Sequence, residues 1–501
     1  MRYNDSGQKK HVPRKDSLMN IVTFLETLVN NILDAEDKFF SDPSDLPGLE
    51  SSLTASANEL VTDLIGGILS ETDKIIRDLP WRKNHYNIQR RDQRTLISSA
   101  GEVTFDCTYY QNRDSGSGYR YLLEDIIGID KHERFTEDAE VAILKEALRT
   151  SYHGATEALP VKSRITATTV MNKIHRIAEE LPTDKPEGPK KELPYLFIEA
   201  DEDHISEQHG RWRSPSENKG FISRLAYLYE YREESGTEKG RWKLVNPFYF
   251  GGLYQGSEGI ERFWRNIEEY IEDHYDIDKL KSVFISGDGA YWIRSGTNWI
   301  HKGLYCADKF HLVKYINAAA NQMLDENEIA KKELYRLLQT KDREGFDGYT
   351  AMMYSAAEKK EAVGDLRSYV LGSWDAVMRT LHNRKIYGCS AEGHVSHILS
   401  ARMSSRPMGW SQTGADRMSK LRCYVKNYGS DRIIDLVRYS RSLGKFRSIP
   451  EEGVCIPHMT QREIRAEHYN QARSYIDRLQ ARMPGITSRK SVSIMVRCWS
   501  L

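Results

Sequence analysis

Hydrophobic residues at helical spacing mark the first part of the chain. Residues 17–40 and 53–79 repeat apolar side chains every three or four positions, and the Pro-rich segment SDPSDLPGLE separates them. Two helices are therefore predicted. Residues 81–130 change to runs of β-forming residues that are interrupted by Ala100-Gly101 and by RDSGSG, and this pattern predicts two or three antiparallel strands.

A second helical pattern occupies residues 131–182. The stretch EALRTSYHGATEAL is predicted to form one helix, PVKSRI a short connection, and TATTVMNKIHRIAEE a second helix. This spacing is typical of a helix-turn-helix, although many helical hairpins bind nothing, so both interpretations stay open. In a DNA complex the second helix would present Thr168, Asn172, His175 and Arg176 to a groove.

Beyond the linker LPTDKPEGPKKELP the pattern changes to that of a sheet with covering helices. The order is three strands, a helix, a strand, a short helix and a strand, which is the order of a ribonuclease H-like α/β fold. Its first three strands would form a meander and the later ones would run parallel. The predicted elements are strands at 193–205, about 224–231 and about 244–254, a helix at 258–275, and short strands at SVFISGD and GLYCAD.

These patterns predict an α/β protein of seven regions. They are an N-terminal helical region (1–80), a small antiparallel β region (81–130), a helix-turn-helix region (131–182), the first part of the ribonuclease H-like core (192–320), a helical insertion (321–385), the completion of the core (386–450) and a C-terminal helical tail (451–501).

Acidic residues accumulate at the end of the first core strand, LPYLFIEADEDHI. In an extended strand alternate residues share a face, so Phe197, Glu199, Asp201 and Asp203 point the same way. Neighbouring carboxylates repel one another. Either a cation offsets that repulsion, or this end of the strand lies open to water.

A second acid lies in FISGDGAYW. Gly287 and Gly289 flank Asp288, which follows a short buried run and would lie at the carboxyl end of a strand, where open α/β sheets bind ligands. An Asp between two glycines can also serve only a turn.

A third acid lies in GCSAEGHVSHILSARMSSRPMGW. Ser390 can cap a helix whose first turn contains Glu392, and helical spacing places Glu392 above Val395 and Leu399 on the stripe expected to pack against the sheet. A carboxylate on such a stripe is predicted to be a buried paired charge or a metal ligand.

Two metal sites are compatible with these residues. Cys389, His394 and His397 are competent zinc ligands, but the two histidines are three residues apart, HExxH is absent, and no second Cys/His cluster is near. Asp201 and Asp288 would instead join Glu392 in a carboxylate cluster for Mg²⁺, which prefers oxygen ligands. The second interpretation is favoured.

Composition limits the possible class of protein. The chain has 501 residues, 39% hydrophobic and 29% charged, and no apolar run approaches the roughly 20 residues of a membrane helix. The N-terminus has no apolar stretch suited to a secretory signal, so a cytoplasmic, non-membrane protein is expected. Six cysteines without a CxxC pair argue against a disulfide framework.

Charge is balanced overall but not locally. The chain carries 72 basic and 72 acidic residues, whereas residues 384–447 contain 13 Lys or Arg and four acids. Such a stretch is either a surface for a polyanion or a solvated basic face.

The motifs IEADEDH, ISGDGAxWI, DKFHLxKY and GCSAEGHVSHxLSxRMSSRPMGWS closely resemble the ISLre-two family of bacterial insertion-sequence transposases, a DDE group related to Mutator-like transposases. The resemblance runs from the N-terminal helices through Lys426. It implies a ribonuclease H-like core and a catalytic, metal-binding triad of Asp201, Asp288 and Glu392. Asp203 remains an alternative first ligand. Two Mg²⁺ ions, replaceable by Mn²⁺, would be the cofactors.

The resemblance also implies accessory residues. DKFH is similar to an Asp/Cys-x-x-His element of the Mutator-like relatives and marks Asp308 and His311, although Asp308 could be only a helix cap. His394 and His397 are further accessory candidates.

The implied activity is cleavage of double-stranded DNA at the terminal inverted repeats, followed by attack of the 3′-OH on target DNA. A dimer or larger assembly associated with the bacterial nucleoid is expected, and the chain has no P-loop. Alternatives are a nuclease of the same fold that does not join strands and a catalytically retired DNA-binding protein. The basic stretch would contact phosphates, and Trp410 would stack on a base or fill the core; the residues concerned are Arg402, Arg406, Trp410, Arg417, Lys420, Arg422 and Lys426.

Overall fold

The computed structural model divides the chain into two compact units. It describes residues 21–113, 118–130, 133–208, 220–234, 242–406, 408–443 and parts of 462–474. Of these, the first unit contains 21–143, 153–167 and the parts of 462–474, and the second unit contains 144–152 and 168–443. Most of the predicted tail at 451–501 lies outside the described residues. Among the described residues, none of the helices has the length and apolar character needed to cross a bilayer.

The first unit packs helices against a three-stranded antiparallel sheet. Its elements are α1 (Ile21–Ser41), α2 (Leu46–Asp78), α3 (Pro80–His85), β1 (Tyr86–Ser98), β2 (Gly101–Asn112), β3 (Tyr119–Tyr121), α4 (Leu122–Ile127) and most of α5 (Glu137–Ala147). The strands are ordered β1-β2-β3. Apolar residues of α2 and β2, among them Ile76, Val103 and Phe105, form the core of this unit.

The two predicted N-terminal helices and the antiparallel strands are present. Helix α2 begins inside the predicted break because Asp45 caps it, accepting a hydrogen bond from the backbone N–H of Gly48 (3.0 Å). Pro47 lies in the first turn, where its missing N–H leaves no intrahelical hydrogen bond unmade.

The predicted helix-turn-helix is wrong in its first helix. Helix α5 ends at Ala147, the chain forms only a 3₁₀ turn at Gly154–Glu157, and the next helix, α6, covers Ala167–His175. The backbone N–H groups of Arg149 (3.0 Å) and Thr150 (2.9 Å) both donate to the carbonyl of Glu146, as in the tightened last turn of a helix that ends. The connection is therefore far longer than the tight turn that the sequence pattern predicted.

The second unit is a mixed α/β structure, and the predicted α/β class is confirmed. Its strands are β4 (Tyr195–Ile205), β5 (Phe221–Tyr229), β6 (Tyr231–Glu234), β7 (Trp242–Val245), β8 (Phe248–Gly252), β9 (Ser282–Gly287) and β10 (Gly303–Ala307). Its helices after α6 are α7 (Gly256–His274), α8 (Tyr291–Arg294), α9 (Lys309–Ala320), α10 (Asn327–Gln339), α11 (Arg343–Ala356), α12 (Lys360–Gly372), α13 (Trp374–His382), α14 (Ala391–Val395), α15 (Ala401–Met403), α16 (Gln412–Tyr428) and α17 (Ile433–Ser442).

Five of these strands form one sheet in the order β10-β9-β4-β5-β8. Strand β4 lies in the middle, antiparallel to β5 and parallel to β9, while β8 is antiparallel to β5 and β10 is parallel to β9. One face of β4, with Leu196, Ile198 and Ala200, packs into a core that includes Trp264 and Ile267 of α7. The other face of β4 carries the acidic residues. Helices α10 to α13 lie within the segment predicted as an insertion.

The predicted third strand at about 244–254 is wrong as a single element. Strand β7 pairs with β6 in a separate two-stranded sheet, and β8 pairs with β5. Between them Asn246 has a φ of +49°, and Pro247 has no backbone N–H to donate to a strand partner. The Asn-Pro pair therefore turns the chain from one sheet to the other.

Candidate active site

Three sequence-remote acids line one open cavity of about 150 Å³ in the second unit. Asp201 lies in β4, Asp288 follows β9 directly, and Glu392 lies in the first turn of α14. Asp308 and His311 line the same cavity. The remaining lining residues are Ala200, Gly287, Phe310, Cys389, Ser390, Ala391 and Gly393.

The register of two parallel strands brings Asp201 and Asp288 together. The pairing of β4 with β9 ends at Glu199 and Ser286, and each aspartate lies two residues further along the chain. The pKa of Asp201 is raised to about 6, mainly by burial and also by the charge of Asp288, while the hydrogen bond from the backbone N–H of Glu202 acts in the opposite direction. The negative charge of Asp201 is therefore costly in the absence of a cation.

Glycines allow this close approach. A Cβ atom at Gly287 would lie 2.7 Å from the backbone oxygen of Ala200, a distance that packed side chains do not tolerate. Gly289 has a φ of +100°, which favours glycine. Asp288 also accepts a hydrogen bond from the N–H of Ala290 (2.9 Å), so it supports the turn as well as lining the cavity.

Asp308 and His311 form a hydrogen-bonded pair at the end of β10. One carboxylate oxygen of Asp308 caps α9 by accepting from the N–H of Phe310 (3.0 Å), as the alternative interpretation expected. The other accepts from Nδ1 of His311 (2.6 Å). This hydrogen bond is the main reason that the pKa of His311 is raised above its ordinary value. The pair therefore favours a positive charge on the cavity wall.

Glu392 is exposed, and the prediction that it faces the core is wrong. Ala391 and Val395 are the residues of α14 that are buried. The segment continues through a π-helical turn at Ser396–Ser400 into α15, so the simple helical stripe does not extend along it. Ser390 does not cap the helix with its side chain, because its hydroxyl is directed to Glu199 (3.0 Å).

Asp203 does not line the cavity. It is buried and accepts hydrogen bonds from the hydroxyls of Ser400 (3.0 Å) and Ser404 (2.8 Å). The structure thus separates Asp203 from Asp201 in role, although both project from the same face of β4. The position of Asp203 therefore favours Asp201 as the acid of β4 that faces the cavity.

The other two accessory candidates, His394 and His397, also lie outside the cavity lining. The ring of His394 packs against the ring of Tyr227 at a tilt of 39°, with centroids 4.3 Å apart, and burial lowers the pKa of His394. His397 is exposed, and its carbonyl accepts from Arg422 (2.8 Å). Cys389 lines the cavity, and burial raises the pKa of its thiol. These positions do not support an accessory role for either histidine.

Within the described residues, no group of three or more His, Cys, Asp or Glu side chains is arranged closely enough to hold a metal ion. The donor types at the cavity nevertheless suit Mg²⁺, which is commonly bound by one or two carboxylates together with waters and substrate phosphates. The raised pKa of Asp201 indicates a carboxylate that a cation would stabilise. Asp201 and Asp288 therefore suit a site that water and phosphate complete better than a site whose ligands all come from the protein.

Helix α6 is the second helix of the predicted helix-turn-helix. Most of its residues that were expected to face a DNA groove are exposed. Thr168, Asn172 and Arg176 are exposed on or next to α6. His175 is half-buried, lies 3.4 Å from the hydroxyl of Ser411, and has a pKa lowered by burial. These three residues are exposed although the first predicted helix is not formed.

The prediction that Arg402 contacts DNA phosphates is wrong. Trp410 fills the core, which was one of its two predicted roles. Both residues are buried, with the guanidinium of Arg402 4.8 Å from the indole ring. Arg402 donates to the carbonyl of Ala147 (2.9 Å), and Trp410 donates to the carbonyl of Met403 (3.1 Å). These contacts hold the protein interior together rather than facing DNA.

Three further cations of this stretch are engaged internally. Lys420 is buried and bonded to Asp416 (3.0 Å), which also pairs with Arg417. Arg422 donates to the carbonyl of Leu148 (2.8 Å). Counting charges along the sequence could not reveal these partners. The exposed members of the predicted set are Arg406 and Lys426.

Sequence reasoning missed two parts of the site. Phe310 lines the cavity and is 57% exposed, and its position inside the DKFH motif was the available signal. Glu199 shares a strand face with Asp201 but is not among the predicted site residues, yet it is hydrogen-bonded to Ser390 beside the cavity. Only the contacts across the fold identify it.

The chain is similar in sequence to the proteins of one described family. The family described as "Uncharacterised protein family (UPF0236)" matches residues 43–439. Two UPF0236 proteins of Caldanaerobacter subterraneus subsp. tengcongensis are 32% and 33% identical over 432 residues, covering 85% of this chain and 87% and 82% of their own lengths. A Drosophila P element transposase strand transfer complex gives a TM-score of 0.21 at 11% identity, covering 67% of this chain and 91% of that one. Likeness at that score carries no inference.

Proposed function

We propose that this chain, which belongs to the UPF0236 family, is a DNA transposase of the ISLre-two type. It would cut the ends of its own element in a metal-dependent reaction and join them to target DNA. The observation that carries the proposal is that Asp201, Asp288 and Glu392, which are remote in sequence, line one cavity. The motifs around these residues are those that resemble the ISLre-two transposases.

The strand order supports a ribonuclease H-like core. Three antiparallel strands, β4, β5 and β8, are joined on the other side of β4 by parallel β9 and β10. In such a sheet the carboxyl ends of parallel strands form the usual ligand-binding edge. Asp288 and Asp308 follow two of these ends, and Asp201 lies on the strand beside them.

The name of one relative adds independent support. It joins eleven numbered designations in a single organism. We take these as repeated occurrences of one sequence in one genome. An element that copies itself produces such repetition, whereas neither a nuclease without joining activity nor a retired DNA-binding protein requires it.

The proposed cofactors are two Mg²⁺ ions, with Mn²⁺ as a substitute, held by Asp201, Asp288 and Glu392 together with the DNA phosphate. When bound, such ions lower the pKa of a water molecule and neutralise charge on the phosphate. Asp201 and Asp288 contribute adjacent carboxylates from neighbouring strands. Glu392, being exposed, can adjust to the DNA as it binds.

Two chemical steps would follow at the cavity. Water attacks the phosphorus at the element end, a P–O bond forms, and the bond to the 3′ oxygen breaks, leaving a 3′-OH and a 5′-phosphate. That 3′-OH then attacks a phosphorus of target DNA, and the target's own 3′ oxygen leaves. One phosphodiester bond forms as another breaks in the second step, so no external energy source is needed. The imidazolium of His311 would attract the phosphate.

Double-stranded DNA is the proposed partner, bound as element ends and as target. The exposed face of α6 and the exposed cations Arg406 and Lys426 are the proposed contacts, and Phe310 could stack on a base near the cavity. Because two element ends must be joined to one target, we propose that the chain acts as a dimer or a larger assembly.

The central test uses the full chain and duplex oligonucleotides that carry the sequences flanking its gene. Mg²⁺ is expected to produce breaks with 3′-OH ends, and oligonucleotides supplied with these ends are expected to be joined to plasmid DNA. EDTA should stop both reactions. Gel analysis of end-labelled strands measures cleavage and joining separately.

Each competing function has its own outcome in this test. Cleavage without joining would favour a nuclease and contradict the transposase proposal. Binding that is unaffected by Mg²⁺, with neither cleavage nor joining, would favour a retired DNA-binding protein.

A pH experiment tests the role of His311. The raised pKa means that its positive charge is present at lower pH and is lost as the pH rises through that pKa. His311→Gln is therefore expected to slow cleavage about tenfold near pH 6, equivalent to about 1.4 kcal/mol, with the difference shrinking toward pH 9. The measurement is the ratio of wild-type to variant rates across this range.

A matched variant sharpens the pH experiment. Asp308→Asn keeps an oxygen that can cap α9 but removes the charge that stabilises the imidazolium. The pH at which its rate falls should therefore move downward. A rate ratio for His311→Gln that does not change with pH would contradict the proposed charge.

A further inference from the structure

Two carboxylates flank Asp201 on the same face of β4 without lining the cavity. Glu199 is 2% exposed and Asp203 is 8% exposed, so both are buried among protein groups. A buried charge is costly unless it is paired and hydrogen-bonded. The partners of these two acids therefore indicate what they do.

Glu199 holds the start of the segment that carries Glu392. One of its oxygens accepts from the backbone N–H of Ser390 (2.6 Å) and from the Ser390 hydroxyl (3.0 Å). The hydroxyls of Tyr227 (2.5 Å) and Tyr229 (2.7 Å) also donate to Glu199, and Arg232 forms an ion pair with it. This N–H lies two residues before Glu392, so Glu199 anchors the first turn of α14.

Asp203 holds the other end of the same segment. The hydroxyls of Ser400 (3.0 Å) and Ser404 (2.8 and 2.9 Å) donate to its carboxylate. Ser400 closes the π-helical turn, and Ser404 follows α15. The two acids therefore attach both ends of residues 390–404 to one strand.

We propose that Glu199 and Asp203 are positioning residues that attach residues 390–404 to β4 at two points. Asp201 lies between the two attachment points, so the attachment sets where Glu392 stands relative to Asp201. The segment is also held by the buried side chain of Val395 and by Arg422, which donates to the carbonyl of His397. The two acids add polar attachments to β4 at both ends of the segment. The consequence for catalysis rests on the proposed function, but the attachment itself does not.

The attachment is tested by amide hydrogen exchange on the full-length protein. Glu199→Gln replaces an acceptor of five side-chain and backbone donors with a group that has only one acceptor oxygen. It is expected to speed exchange at least tenfold at residues 391–396. Asp203→Asn should do the same at residues 400–404.

Glu230→Gln is the matched control. Glu230 is also 8% exposed in the second unit and is bonded to Lys191 (2.6 Å) and the hydroxyl of Tyr275 (3.2 Å). Neither partner belongs to residues 390–404. Its substitution removes a comparable buried charge, so any loss of general stability should appear here too, without the local change in exchange.

Binding of Mn²⁺ to the free protein, measured by electron paramagnetic resonance, gives a second readout. Partners that orient metal ligands typically change affinity by about 10- to 100-fold when they are removed. Weakening of this size is expected for Glu199→Gln and Asp203→Asn and not for Glu230→Gln. Equal Mn²⁺ affinity in all of these proteins would overturn the positioning role.

A milder pair keeps the proposal testable if a charge substitution prevents folding. Ser404→Ala removes the hydroxyl that contacts both oxygens of Asp203, while Ser404→Thr retains a hydroxyl. Faster exchange at residues 400–404 in the first variant, restored in the second, supports the attachment. Exchange equal to wild type in Ser404→Ala and Glu199→Gln overturns it. If exchange changes as expected but the wild type neither cleaves nor joins DNA, the proposed function fails and the attachment stands.

Discussion

Replacing Asp201 with Asn is expected to reduce metal-dependent DNA cleavage by about a thousandfold or more while making the metal-free protein more stable. The loss of activity follows from removing one of two adjacent carboxylates at the cavity. The gain in stability follows from burial, since the pKa of Asp201 is raised to about 6. A side chain kept at a cost to folding is expected where function needs it.

The size of the stability change depends on pH. In the unfolded chain Asp201 titrates near its ordinary value of 3.8, and in the folded protein near 6. Between these values the folded protein holds more protons, so its free energy of unfolding falls as the pH rises. A shift of this size corresponds to at most about 3 kcal/mol above pH 6, and the penalty is absent near pH 3.

Urea denaturation in EDTA measures this effect. Asp201→Asn should unfold at higher urea than wild type at pH 7, and the difference should shrink as the pH falls toward about 4. Adding Mg²⁺ should stabilise the wild type and not the variant. Asp365→Asn, at an exposed position of α12, is the control and should change neither quantity. A variant that is less stable than wild type at pH 7 would contradict the argument.

Replacing Glu392 with Gln is expected to reduce cleavage and joining by about the same factor as Asp201→Asn. Its effect on the free energy of unfolding is expected to differ. The side chain is exposed, so removing its charge should change the free energy of unfolding by less than about 0.5 kcal/mol. DNA binding without Mg²⁺ should also stay near that of the wild type. The measurements are cleavage of end-labelled duplex, joining to plasmid DNA, and urea denaturation.

Glu258→Gln is the matched control for Glu392→Gln. Glu258 is likewise an exposed Glu in the first turn of a helix, α7, and does not line the cavity. It should retain wild-type cleavage. Equal activity of Glu392→Gln and wild type would remove Glu392 from the proposed site and leave a cavity of two aspartates.

The two substitutions separate burial from chemistry. Asp201 and Glu392 line the same cavity, yet Asp201 is partly buried with a raised pKa, whereas the side chain of Glu392 is exposed. Loss of activity in both, with a gain in stability in only one, would distinguish a metal-binding site from a general disturbance of the fold.

Local patterns were sufficient for elements whose partners are close in sequence. The break SDPSDLPGLE between two helices and the antiparallel strands of residues 81–130 depend on turns and periodicity within a few tens of residues. The predicted helix at EALRTSYHGATEAL is wrong because α5 ends at Ala147 and only a 3₁₀ turn follows at Gly154–Glu157, an ending that an apolar period does not record. The strand at 244–254 failed at a single Asn-Pro turn.

Roles that depend on burial could not be read from the pattern. Alternation placed Glu199, Asp201 and Asp203 on one face of a strand, but it could not say that serines cover the outer two while a cavity opens at the middle one. Glu392 was identified through its motif, while its expected burial was wrong. Arg402 was counted as a surface charge because its partner, the carbonyl of Ala147, is 255 residues away in the chain.

By itself the sequence determined the α/β class, the chemical type of the candidate site, and the acids that could form it, because these follow from residue type and short-range periodicity. Only the tertiary structure decided which acids face the cavity, which ones anchor the segment carrying Glu392, and which cations remain on the surface. The physical reason is that burial and hydrogen bonding depend on what packs across the sheet, and those partners come from segments as far apart as β4 and α14.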